Sequence, residues 1–262
     1  MVVVRGAIYY VWKVSIAAEL ALAVRLLYQG LAGRYPALFS ASVVLPIKSL
    51  VLLNSYLLRL NQIQIKQLSE NLGLLDLVFA VWIVYEVFSC WYSKYTGIGT
   101  LGKTLFAVII AASIAVSVLF WSNEWQALDF VRDFRFYYIL HRTMLLTPGL
   151  ILIGMWLFFR MFPVQNPPNV MRYAVGATFY LLSGGIAELI FTLWGLKYMT
   201  EVNLAIVSIT TVTFALWALV LNKAGEVVPQ EKPRRPERYE RTERLNQDLL
   251  DLMNRIHGDI RR

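Results

Sequence analysis

The chain has 262 residues, 58% of them hydrophobic and only 16% charged, against an apolar share of roughly 45 to 50% in soluble domains; this excludes an ordinary soluble domain and points to an integral membrane protein. Lys and Arg outnumber Asp and Glu by 25 to 17, an excess that cationic membrane loops explain without any nucleic-acid partner. One cysteine, Cys90, and two histidines, His141 and His257, argue against a disulfide framework, a zinc site or a bis-histidine haem, so no cofactor is implied.

Seven apolar stretches long enough to cross a hydrocarbon core of about 30 Å recur along the chain. They fall at about 8–31, 37–58, 72–93, 103–121, 136–160, 171–195 and 202–222, with ends uncertain by a few residues. The pattern predicts an all-α polytopic membrane protein, a seven-transmembrane-helix bundle over about residues 1–222. Lys13, Glu19 and Arg25 interrupt the first stretch, and Pro46, Lys48 and Asn54 the second. Both count as spans because the seven-helix reading needs them and because Tyr9, Tyr10, Trp12, Tyr28 and Tyr35 read as interfacial anchors. The opening "MVVVRGAIYYVWK" has no small-residue cleavage site after a short apolar core, so the first helix is expected to stay in the mature protein.

Between the third and fourth stretches, "TGIGTLGKT" matches the G-x-x-x-x-G-K-[ST] pattern over Gly97–Thr104. A phosphate-binding loop needs a strand before the glycines and a soluble helix after them, and both neighbours here are apolar spans. The motif therefore predicts no nucleotide partner. Its glycines bend a cytoplasmic turn and Lys103 anchors the topology. In the next connection, "NEWQALDFVRDF" spaces Trp125, Leu128, Val131 and Phe134 three residues apart. That suits either a short interfacial helix with Asp129, Arg132 and Asp133 toward water, or an ordinary loop with anchoring aromatics.

"LTPGLILIG" and "LSGGIAE" bring a proline and small residues into the fifth and sixth helices, where close packing is the favoured use over a gating hinge. Ser208, Thr210, Thr211 and Thr213 in the seventh read as backbone-bonding residues. After Asn222 the composition turns to a charged, proline-containing linker over about residues 223–239 that cannot bury a core. From about residue 240 to 262, Leu245, Leu249, Leu252, Ile256 and Ile260 recur at three- and four-residue steps, an amphipathic tail helix. The linker cations, Lys223 and Lys232 through Arg244, place this end in the cytoplasm by the positive-inside rule. An odd number of spans then leaves the amino end outside, in a bacterial inner membrane.

Ionisable residues inside spans are costly and mark a site by default. At about 1.5 Å of rise per residue, Glu19 and Lys48 come out at similar mid-depth on consecutive helices and suit an ion pair. Asp76, His141, Arg142 and Glu188 gather toward the outer third, with Arg142 and Glu188 as the expected core of a pocket and His141 as a titrating relay. The alternative is that Asp76 and Arg142 snorkel to water while His141 packs in the core. Glu86 has no obvious partner beyond Arg160 or Lys94. No nucleophile with an adjacent base is visible, which argues against an enzyme.

"GLAGRYPALFSAS", "VYEVFSCWYSKYTGIGTLGKTLF" and "VRDFRFYYILHRTMLLTPGLILIGMWLFF" resemble, in that order, a group of uncharacterised bacterial seven-helix membrane proteins. In that group an arginine and a Tyr-Pro or Phe-Pro pair follow the first span and an aromatic Tyr-Glu segment ends the third. The resemblance implies seven spans and carries no assigned activity. The basic linker and tail helix depart from its pattern.

Two functions compete. One is a non-enzymatic scaffold, sensory-input or accessory subunit in the lipid bilayer, whose tail stripe engages a protein partner, a larger membrane complex or the membrane surface. The other is a small-solute or proton transporter that uses Glu19, Lys48 and the outer cluster, although no internal repeat accompanies it.

Overall fold

The computed structural model describes residues 2–54, 61–92, 96–120, 135–161, 166–194, 198–227, 240–241 and 243–252. Among these, every regular element is helical: α1 (Val2–Tyr28), α2 (Pro36–Asn54), α3 (Gln62–Trp91), α4 (Thr96–Phe120), α5 (Arg135–Met161), α6 (Pro168–Trp194) and α7 (Met199–Val220), then a 3-10 turn (Lys223–Glu226). Each overlaps one of the seven apolar stretches. Five helices are long and apolar enough to cross a membrane: Pro36–Asn54, Gln67–Trp91, Ile139–Leu157, Pro168–Ile190 and Thr200–Val220. The described apolar run of α4, Gly99–Ala115, is shorter, and α1 carries Lys13, Glu19 and Arg25 along its length.

Neighbours in sequence pack side by side around the bundle, and α1 closes it against α7. Helix α3 touches α2, α4, α5 and α6, which makes it the central element. Core and surface are both apolar. Leu22, Leu38, Ile83, Leu152 and Leu181 are fully buried, while Val24, Val78, Val108, Leu150, Phe179 and Leu219 lie on the outside with more than half of their area exposed. A continuous apolar exterior suits lipid as solvent and would be an aggregation hazard in water.

Small residues set the closest helix approach. A Cβ on Gly149 would stand 2.7 Å from Leu182 Cδ2, and one on Gly185 2.6 Å from Leu146 Cγ. The glycines of α5 and α6 thus serve close contact between those two helices, the use expected of them. Along the α6–α7 seam, aromatic rings meet edge to face: Tyr35 with Tyr173, Tyr173 with Trp217, Trp217 with Phe214 and Phe214 with Tyr180, at centroid separations of 5.3 to 6.0 Å. Such pairs add about 0.5 to 1.5 kcal/mol each beyond area burial. Tyr35, expected at the interface, is instead fully buried in this stack, whereas Tyr9, Tyr10 and Tyr28 are exposed.

The glycine-rich motif lies in the first turns of α4. Gly99 packs on Tyr92 and Gly102 on Phe88, while Lys103 Nζ sits 5.2 Å from the centre of the Tyr85 ring. Residues 243–252 are helical and return to this point. The Gly97 N–H donates to Asn246 Oδ1 at 2.9 Å, and Leu245 and Leu249 pack against the bundle core. A Cβ on Gly97 would come within 2.7 Å of the Asn246 carbonyl oxygen. What reads as a phosphate-binding signature is therefore a seat for this chain's own tail. The linker over 228–239, the 121–134 connection, and Ile256, His257 and Ile260 lie outside the described residues.

Candidate functional site

Six helices send polar side chains into one cavity of about 180 Å³. Helix α1 contributes Ser15 and Glu19, α2 Lys48 and Ser49, α3 Asp76, α5 His141, α6 Glu188 and α7 Thr210; Trp12, Leu45, Leu145 and Tyr180 supply apolar wall. Counted at about 1.5 Å per residue from the α1–α2 turn end, Glu19 lies about 14 Å, Asp76 about 23 Å and Glu188 about 30 Å along the bundle, so the acidic groups run from mid-depth toward the far end. The two sets separated by sequence depth thus form a single site.

The pairing inside it differs from the expected one. The Lys48 ammonium goes to the Asp76 carboxylate, because α2 packs directly on α3, while the partner Glu19 finds is on its own helix: Ser15 Oγ donates to Glu19 Oε1 at 3.1 Å. His141 bridges two carboxylates, with Nδ1 3.1 Å from Glu188 Oε1 and Nε2 4.0 Å from Asp76 Oδ2. Arg142, expected to hold Glu188, is not among the described cavity-lining residues.

Charge bookkeeping gives the site its character. Three carboxylates face one ammonium and one imidazole, a formal charge of −2 with the imidazole neutral and −1 with it protonated. Glu19 is 4% exposed, and its Oε2 has no hydrogen-bond partner among the described residues. An isolated charge at a span's centre costs about 2.5 to 3.5 kcal/mol on insertion scales. Lys48–Asp76 pairing offsets part of that. The volume admits several waters or one small solute, at about 30 Å³ per water. Tyr180 and Thr210 add hydroxyls to the wall.

A second polar cluster lies at the α1–α2 turn end, and sequence reasoning missed it. Lys94 and the Arg160 side chain lie outside the described residues; the Glu86 carboxylate accepts from the Ala37 N–H at 2.7 Å, the Leu38 N–H at 3.4 Å and the Tyr173 hydroxyl at 2.8 Å. It caps α2 from across the bundle, satisfying amide hydrogens that a helix start leaves without partners. Next to it, Glu226 accepts from Tyr35 Oη and Asn169 Nδ2, both at 2.6 Å, and pairs with Arg34 Nε at 3.5 Å. Burial first, then the carboxylate it donates to, push the Tyr35 phenol far above its ordinary range, so it remains a donor. Asn169 Nδ2 also donates to the Asn222 carbonyl. The Tyr-Pro pair after the first helix was the only sequence signal for this latch.

Among the described residues no group of three or more His, Cys, Asp or Glu side chains has the geometry to hold a metal ion. Cys90 is buried. No family model, curated protein or solved structure matches this chain.

Proposed function

We propose that this chain is a non-enzymatic seven-helix membrane protein whose interior cavity binds a proton or small cation and passes it, alone or with a solute, across a bacterial inner membrane. The observation that carries this reading is the convergence of Glu19, Lys48, Asp76, His141 and Glu188 from five helices on one cavity with an excess of negative charge. His141, between two carboxylates, is the group positioned to hand a proton from one to the other.

Seven spans follow if α1 and α4 cross beside the five clearly apolar helices. For α1 that requires Glu19 to face the bundle, as it does, and the exposed Lys13 to reach the membrane surface. The cations after α7 favour a cytoplasmic carboxyl end and an outside amino end.

The scaffold or accessory reading draws on the amphipathic tail helix. Two of its five stripe residues, Leu245 and Leu249, are already spent on this chain's own core, while Leu252 remains exposed. That weakens the tail as a docking element and favours the cavity.

The test is flux in proteoliposomes. With an internal pH dye and an imposed membrane potential, the wild type should carry protons or a small monovalent cation, and Glu188→Gln should reduce the rate at least about tenfold, equivalent to 1.4 kcal/mol, while the protein still folds. A wild type without flux for protons, alkali cations and small amines, or a fully active Glu188→Gln variant, contradicts the assignment.

A further inference from the structure

A second cavity opens on the outer surface of the bundle between α6 and α7, a groove of about 570 Å³. It shares no residue with the charged cavity. Its walls are apolar, formed mainly by Val175, Phe179, Ile209, Val212, Leu216 and Trp217, and one end carries a single cation, Arg172. Phe179, Val212 and Leu216 are exposed by 65, 57 and 52%, so the groove faces the surroundings and not the core. Both helices that form it are long and apolar enough to cross a membrane.

Its length fits one lipid leaflet. From Val220, beside Arg172, to Ser208 the groove follows α7 over twelve residues, about 18 Å at helical rise, against about 15 Å for half of the hydrocarbon core. The guanidinium stands where α6 begins and α7 ends, the level of a headgroup. Its described bonds, to the Val220 carbonyl at 2.8 Å and to Asn169 Oδ1 at 3.4 Å, both use Nη1. The Nε–Nη2 edge is the fork that matches a phosphate bidentately. At this end Arg34, Arg172 and Lys223 stand beside two carboxylates, Glu226, which Tyr35, Asn169 and Arg34 already engage, and the buried Glu86, held by the Ala37 and Leu38 amides and Tyr173. The mouth is cationic and the channel behind it oily.

We infer that the α6–α7 groove is a binding site for an anionic phospholipid, with one acyl chain lying along α7 and the phosphodiester on Arg172. The groove's shape selects a chain and Arg172 selects the charge, so the two contributions separate by mutation. Arg172→Gln removes the charge and a bond that ties α6 to α7. Val212→Trp fills the groove from its exposed side without touching charge or core.

Native mass spectrometry of the full chain, released from nanodiscs of mixed phosphatidylglycerol and phosphatidylcholine, tests this. The wild type should retain one phosphatidylglycerol with at least about tenfold preference over phosphatidylcholine, of the order expected for a charge-assisted bidentate contact. Arg172→Gln should lose the preference, and Val212→Trp should lose the bound lipid of either kind. Equal retention of the two lipids by the wild type, unchanged phosphatidylglycerol in both variants, or a dimer that Val212→Trp dissociates would overturn the inference. None of these outcomes depends on whether the interior cavity moves a cation.

Discussion

Two acidic clusters sit at different depths of one bundle and are built on different plans. At the α1–α2 turn end, Glu86 is held by two backbone amides and a tyrosine, and Glu226 by a tyrosine, an asparagine and an arginine. From mid-depth toward the far end, Glu19, Asp76 and Glu188 face one lysine and one histidine around a cavity. Backbone amides hold Glu86 in the first cluster, while the described partners in the second are all side chains; on the proposed function, fixed backbone donors serve the fold and side chains around a cavity serve a ligand.

The largest effect expected from breaking the contrast is at Glu86. Replacing it with Ala leaves the α2 amides and Tyr173 without their acceptor, and should cost about 3 to 5 kcal/mol, the range for truncating one member of a buried charged network. Thermal melts in detergent should show a strongly lowered midpoint or no folded protein. A Glu86→Ala variant as stable as wild type would remove the distinction drawn between the clusters.

Tyr35→Phe deletes one hydrogen bond to a carboxylate and keeps the ring in its stack on Tyr173, so about 1.5 to 3 kcal/mol should be lost. The melt should shift down while any flux through the far cavity is unchanged. Altered flux without altered stability would tie the latch to transport.

Smallest is the tail. Gly97→Val pushes a side chain into the Asn246 carbonyl and forfeits a contact of about 1 kcal/mol. Limited proteolysis should then cut around residues 243–252 faster than in the wild type, with the bundle's melting midpoint nearly unmoved. An unchanged cleavage rate would mean that the tail is held by other contacts.

Much of the architecture was legible in the chain. Apolar runs located α1 to α7, and five of these are long and apolar enough to cross a membrane, since helical rise and bilayer thickness fix that length independently of tertiary detail. The site was legible by depth but not by direction. Glu19 and Lys48 do lie in one cavity, yet height along an axis does not say which way a side chain points, and Lys48 faces α3 and Asp76.

Glu86 was unreadable for another reason. Its acceptors' partners are mostly backbone amides, which carry no residue-type signal. The motif at Gly97–Thr104 matched a pattern whose meaning lies in its strand-to-helix context. Among the described residues that context is helix to helix, and small size at Gly97, Gly99 and Gly102 serves packing against the tail, Tyr92 and Phe88.

The central claim is that the far cluster works and the near cluster holds. Asp76→Asn tests it most directly, because the change keeps shape, removes one charge and leaves Lys48 and His141 in place. Flux and thermal stability would be measured on the same purified protein. The account predicts flux reduced at least about tenfold, a difference of 1.4 kcal/mol in barrier, with the melting midpoint close to that of the wild type. Wild-type flux combined with a large loss of stability would contradict it, and would make the cavity's charges a device for packing.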